Sequence, residues 1–246
     1  MILPRSDRPS PEAAARSVVA ARYPDALAAF LGGSVTRGAA TPTSDLDIVI
    51  IVNRPEAPFR ESFIAHGWPV EAFIHTPASY RRFFAQDAAE RTPALPRMCR
   101  EGIILCEGDG LAARIRAEAR ALLDAGPAAL AEEDRSRRRY MATDLLDDFR
   151  GATTWAEACY VAGGLADCAA NLRLAMRGAW GGSGKSLRRA LSRLDPAEER
   201  RLTDALRAFY QQEDRGPLIA YAESALAEAG GELFDGYYQA APRDPA

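Results

Sequence analysis

Apolar and polar positions fall into two regimes along the chain. Up to about Ala125, short apolar runs alternate with amphipathic stretches, whereas from Gly126-Pro127 onward only helical spacing recurs. Ser10-Pro11 reads as an N-cap followed by a first helical position, and the alanine-rich run continues as helix to Arg22, with Pro24 as its stop. Leu27 to Leu31 predicts a strand that delivers the chain into Gly32-Gly33-Ser34. Val35 to Ala40 predicts a short helix, broken by Thr41-Pro42-Thr43. The run IVIIV, Ile48 to Val52, has no polar residue and predicts a central strand buried on both faces. A polar connection at Asn53-Arg54-Pro55 leads into a possible short helix from Phe59 to His66. Gly67-Trp68-Pro69 is then read as a turn, with a new strand from Val70 to His75. Thr76-Pro77 opens a helix through Phe84, Thr92-Pro93 to Arg100 is a loop or short helix, GIILCEG is a strand and Leu111 to Ala125 a helix.

After Pro127 the pattern predicts helices at Leu130 to Arg150, Thr154 to Trp180, Lys185 to Arg193, Pro196 to Gln212 and Gly216 to Gly230. The expected class is α+β, with a mixed-sheet domain over residues 1–126 and an all-α bundle over residues 127–246.

Candidate chemistry concentrates in Leu31 to Val52. Side chains alternate in a strand, so Asp45 and Asp47 project to one face while Leu46, Ile48 and Ile50 project to the other. Two carboxylates on one face repel unless a cation lies between them. Glu71 stands at the start of the later strand as the aspartates stand at the start of the first, so three carboxylates converge if the strands are neighbours. Hard oxygen ligands that leave room for water and substrate phosphate suit Mg²⁺ rather than zinc. Gly33 and Ser34 form a turn ahead of a predicted helix start, where unpaired N–H groups favour phosphate, although such turns more often only reverse the chain. His75 lies roughly 13 Å beyond Glu71 at strand rise and reads as structural. His66 reads as a solvated loop residue.

Composition narrows the field without choosing within it. A net charge of -3 and an apolar fraction of 48% describe an ordinary globular chain and disfavour long nucleic acids as partners. Pro4 and Arg5 interrupt the apolar amino terminus and no long apolar span follows, so a soluble cytoplasmic protein without membrane association is expected. Cys99, Cys106, Cys159 and Cys168 form no C-x-x-C pair and read as free, packed thiols.

The set Gly33-Ser34, Arg37-Gly38 and Ser44-Asp45-Leu46-Asp47, with Glu71 on a later strand, resembles the nucleotidyltransferase superfamily that includes DNA polymerase β. With the helical bundle added, the chain looks like bacterial aminoglycoside and lincosamide nucleotidyltransferases and related two-domain members. The resemblance implies that Gly33 and Ser34, with Arg37 and Ser44 in the same motif, bind the triphosphate of ATP or another NTP. It implies that Asp45 and Asp47 ligate two Mg²⁺ ions, and that Glu71 ligates one ion and assists deprotonation of the acceptor. The family often has aspartate at the third position, so Glu71 is a departure. Gly184-Lys185-Ser186 is similar to a lysine-bearing helix start in related members, where the lysine approaches the triphosphate; a solvated lysine is the alternative.

The expected reaction is attack of an acceptor oxygen on the α-phosphorus of the triphosphate, with release of pyrophosphate. The expected acceptor is a small molecule, possibly an aminoglycoside-like antibiotic, which would make the chain a resistance enzyme. The alternative is a regulatory, antitoxin-like member that modifies a protein partner or only binds nucleotide. The helices after His75 contain no histidine, which excludes a fused ribonuclease of the R-x4-6-H kind. Asp144, Asp147 and Asp148 form an acidic helix face, readable as an aminoglycoside contact or as solvated surface, and Arg135, Arg137, Arg138 and Arg139 read as intrahelical pairing partners, with a nucleic-acid contact as the alternative that the net charge disfavours. Asp167 and Asn171, on a helix expected to be buried, could line an acceptor pocket or bond to each other, and Asp167 competes with Glu71 for the role of general base.

Overall fold

The computed structural model describes residues 8–53 and 57–240. Pro4-Arg5 and the Arg54-Pro55 part of the expected polar connection lie outside the described residues. The chain divides into two compact units between Gly126 and Pro127.

The first unit is built on a five-stranded sheet in the order β3-β4-β2-β1-β5. Its strands are β1 (Ala28–Leu31), β2 (Leu46–Ile51), β3 (Phe59–Ala65), β4 (Trp68–His75) and β5 (Ile103–Glu107). β2 and β4 run parallel and every other pair is antiparallel, which makes the sheet mixed, as expected. The helices of this unit are α1 (Pro11–Arg22), α2 (Ser79–Ala89), α3 (Ala94–Glu101) and α4 (Leu111–Ala125). The Ser10 hydroxyl caps α1 by accepting from the Ala13 N–H, and Pro11 occupies the first turn.

β2 is the centre of the sheet because its side chains are apolar on both faces. Leu46, Ile48 and Ile50 join Ala14, Val18, Val70, Ala72 and Ile74 in one core, on the side of α1. Val49 and Ile51 join Phe30, Tyr80, Phe84, Leu111 and Ile115 in the other, on the side of α2 and α4. Burial of each Ile or Val side chain in that strand contributes roughly 1.5–3 kcal/mol. Such a strand fixes the carboxylates at its mouth firmly.

Two local readings are corrected. Phe59 to His66 is not a helix: Phe59–Ala65 is the edge strand β3, with every second residue facing solvent more fully than its neighbours. Ala65 pairs with Trp68 across a two-residue turn, His66-Gly67, in which both residues have positive φ, at 50° and 78°. That is the backbone a tight hairpin turn needs, so β4 starts at Trp68 instead of after Pro69. The short helix expected over Val35 to Ala40 is only a single 3-10 turn, Val35–Arg37, closed by Gly38 at φ 66°.

The second unit contains α5 (Glu132–Gly151), α6 (Trp155–Met176), α7 (Gly184–Leu194), α8 (Pro196–Gln212) and α9 (Gly216–Ala229). Thr154 and Glu157 form a capping box at the start of α6, and Asp195 caps α8 ahead of Pro196. The core of this unit is made mainly of alanine, leucine and phenylalanine from all five helices. The chain is therefore α+β, a mixed sheet with helices followed by helices.

Candidate active site

The register of β2 against β4 sets Asp47 directly beside Glu71 on the same face. Asp45 precedes β2 by one residue and reaches the same place. One ligand oxygen from each of Asp45, Asp47 and Glu71 lies within 4.8 Å of the others, and all three residues are half-buried. No other group of this kind occurs among the described residues.

β1 brings the glycines to this cluster. The Gly32 N–H donates to the Asp47 carbonyl at 2.8 Å, extending the β1–β2 ladder to the site. Gly33 has φ 78°, and a Cβ placed on it would lie 2.0 Å from the Asp47 Oδ2. Only glycine permits that approach.

The loop from Ser34 to Ser44 is closed by hydroxyls. The Ser34 hydroxyl donates to the Ser44 Oγ at 2.9 Å, and the Thr41 N–H donates to the same atom at 2.8 Å. Thr36 Oγ1 donates to the Gly33 carbonyl at 3.1 Å. Ser44 is buried, so its hydroxyl sets the shape of the loop. The Arg37 guanidinium acts on Asp47 from the far end of the 3-10 turn.

Charge at this site is out of balance. Asp47 titrates at about 6 rather than 3.8, raised first by burial, then by the charges of Asp45 and Glu71, and opposed by Arg37 and Arg60. At most this represents about 3 kcal/mol, less after allowance for solvent screening, against a β2 core worth several times that. The strand can hold the repulsion, and a cation would relieve it. Three hard carboxylate oxygens from half-buried residues fit a Mg²⁺-like ion, which leaves positions for water and phosphate.

Arg60 is the residue that sequence reasoning missed. It projects from β3 to pair with the Glu71 carboxylate, and its guanidinium lies 5.1 Å from the Phe73 ring centroid. The alternation in FRESFIA was the available signal, hidden by the helical reading of the segment.

Other residues singled out in the sequence lie elsewhere. His75 is 5% exposed, packs edge-on against Phe83 with centroids 4.9 Å apart, and is held neutral by a pKa lowered to about 4, mainly through burial. It is a core histidine. Lys185 is exposed in the first turn of α7. Asp144, Asp147 and Asp148 are all exposed on α5, and Asp147 pairs with Arg150 at 3.1 Å. α6 is not buried all round, for Tyr160, Gly163, Gly164 and Asp167 face solvent. Asn171 bonds to backbone, not to the Asp167 carboxylate. Its amide donates to the Gly182 carbonyl at 3.0 Å and to the Asp167 carbonyl at 2.9 Å, and accepts from the Gly182 N–H at 3.1 Å, which pins the loop before α7.

The family model of the nucleotidyltransferase domain matches residues 14–89, from α1 through α2, the span that carries all three carboxylates. Residues 14–89 therefore carry a nucleotidyltransferase domain. Among solved structures it is similar to a nucleotidyltransferase-like protein from Exiguobacterium sibiricum, at 14% identity over 89% of this chain and 77% of that one. The TM-score of 0.47 is too low to carry an argument about the site. No curated protein matches the chain. No helix among the described residues is long and apolar enough to cross a membrane. The matched domain supports a transferase.

Proposed function

We propose that this nucleotidyltransferase moves a nucleoside monophosphate from ATP or another NTP to a hydroxyl of a small-molecule acceptor, with Mg²⁺ held by Asp45, Asp47 and Glu71. The observation that carries the reading is the convergence of those three carboxylates at adjacent parallel strands, with Asp47 raised in pKa by burial and by the charges of Asp45 and Glu71.

Bound there, Mg²⁺ would neutralise the triphosphate and lower the pKa of the acceptor hydroxyl. Asp45 and Asp47 would face both of two ions, and Glu71 one. Gly33 keeps the space beside Asp47 clear of side chain, and Ser34 with the Ser44-closed loop presents hydroxyl and backbone to the phosphates. Arg37 adds positive charge near Asp47 where the triphosphate would lie. Glu71 would also take the acceptor proton. In-line phosphoryl-type transfer needs alignment and charge neutralisation above all, and these residues supply both.

The test is pyrophosphate release from Mg-NTP across a panel of hydroxyl-bearing acceptors, aminoglycosides and lincosamides among them, alongside label transfer to any co-purifying protein. Release that depends on a small molecule supports the proposal. Label found only on a protein would replace it with the protein-modifying alternative.

A further inference from the structure

Arg60 lies outside the residues singled out in the sequence. It lies on the exposed edge strand β3, opposite Phe73 in the antiparallel register, two pairs along from Ser62 and Glu71. Cross-strand partners share a face, so Arg60 projects toward the same side of the sheet as Glu71 and Asp47. Its guanidinium pairs with the Glu71 carboxylate, lies across the Phe73 ring and also lowers the charge cost at Asp47. One of the three carboxylates, Glu71, is thus already paired with an internal cation.

We propose that Arg60 is a positioning residue that holds Glu71 in the metal-free protein and gives it up when a divalent cation binds. A carboxylate oxygen engaged by guanidinium is a poorer ligand for a second cation, so metal entry at Glu71 requires exchange of one positive partner for another. The exchange is feasible because Arg60 is 55% exposed at its side chain and Glu71 27%, so the ion pair is solvent-screened and weak enough to open. Stacking on Phe73 keeps the released guanidinium close by instead of letting it swing away. Consequently Asp45 and Asp47 take the cation first, and Glu71 joins as Arg60 leaves. This deepens the metal reading above and rests on it.

The test is Mn²⁺ binding without nucleotide, followed by electron paramagnetic resonance of free Mn²⁺, in wild type, R60Q, R60K and the D45N/D47N double variant. An exposed pair of this type corresponds to a change of about threefold to fivefold in affinity. R60Q should therefore bind Mn²⁺ about that much more tightly, and R60K should fall between it and wild type because ammonium lacks the planar fork. Should R60Q fail to fold, R60K carries the same comparison with wild type. Unchanged or weaker binding in the Arg60 variants, while D45N/D47N abolishes binding, would overturn the role of Arg60 and leave the metal site standing. Mn²⁺ affinity indifferent to D45N/D47N would bring down the metal reading itself, and this inference with it.

Discussion

Asp47 and Glu71 are register partners on two adjacent parallel strands, so their carboxylates share one face of the sheet at the mouth of its central strand. Parallel pairing matters because it brings the amino-terminal ends of β2 and β4 together, and both acids stand near those ends. An antiparallel β4 would have carried Glu71 to the opposite edge.

Gly33 should tolerate no side chain. A Cβ at 2.0 Å from the Asp47 Oδ2 must displace that carboxylate, and φ 78° adds backbone strain of roughly 1–3 kcal/mol. G33A should lose about a hundredfold or more in turnover and weaken Mn²⁺ binding, while its urea midpoint falls by only that strain. Pyrophosphate release and Mn²⁺ titration check this; near-normal turnover would show that Asp47 does not need its present position.

Metal binding should depend on pH through Asp47. In the metal-free protein its pKa of about 6 lies above the 3.8 of an ordinary aspartate, so the folded state holds the proton more tightly than the unfolded one. Stability of the metal-free protein therefore declines, through this group, as pH rises from about 4 to about 6. Metal must displace that proton, so the rise in Tm caused by Mg²⁺ or Mn²⁺ should grow between pH 5 and pH 7 and then level off. D47N should remove the pH dependence of that rise, which thermal melts with and without metal will show.

Much of this site was legible in the chain. Asp45, Asp47 and Glu71 announced themselves by alternation and by the apolar run behind the aspartates, because a buried strand has few other sequence forms. What stayed hidden was tertiary. The β2–β4 pairing and its register depend on which strand lies next to which, and no local pattern states that. β3 was obscured because FRESFIA is an edge strand, half polar by necessity, and its hairpin turn uses His66 in a positive-φ role usually taken by Asn or Asp. Missing β3 meant missing Arg60. In the second unit the helices themselves were plain, but not that α6 ends at Met176, four residues short of Trp180, nor which of its faces meets solvent. Its apolar composition concealed that Gly163 and Gly164 lie on the outer side.

His75 should act on stability with the opposite sign to Asp47. Burial and the nearby Arg82 lower its pKa from 6.5 to about 4, so the unfolded chain takes up a proton that the folded protein refuses. Its contribution is complete above about pH 6.5 and is lost as pH falls toward 4. The difference in unfolding free energy between wild type and H75Q, measured by urea titration across pH 4 to 7, should shrink on the acid side. A difference that stays constant with pH would contradict a buried neutral His75.

A buried ion pair organises the second unit. Arg173 is fully buried, its Nη1 donates to the Glu198 Oε2 at 2.7 Å, its Nη2 donates to the Ser224 hydroxyl at 2.7 Å, and its guanidinium lies 4.7 Å from the Tyr221 ring centroid. Removing Glu198 leaves that charge without its main partner, and E198A should cost about 3–5 kcal/mol, toward the lower end because Glu228 stands 3.7 Å away. The apolar pair R173M/E198L should recover most of the loss. Urea unfolding of the three proteins distinguishes a required ion pair from a merely satisfied one.

The central claim is that Asp45 and Asp47 hold the cation that drives nucleotidyl transfer. Its most direct test is single-turnover transfer of label from α-labelled and γ-labelled ATP with Mg²⁺ and an active acceptor, in wild type, D45N and D47N. The account predicts that the α-label moves to acceptor with release of pyrophosphate in wild type, and that both variants lose at least about a thousandfold in rate, the scale expected when a charge-stabilising group of the site is removed. Transfer of the γ-label, or a D47N rate within a few fold of wild type, would contradict it.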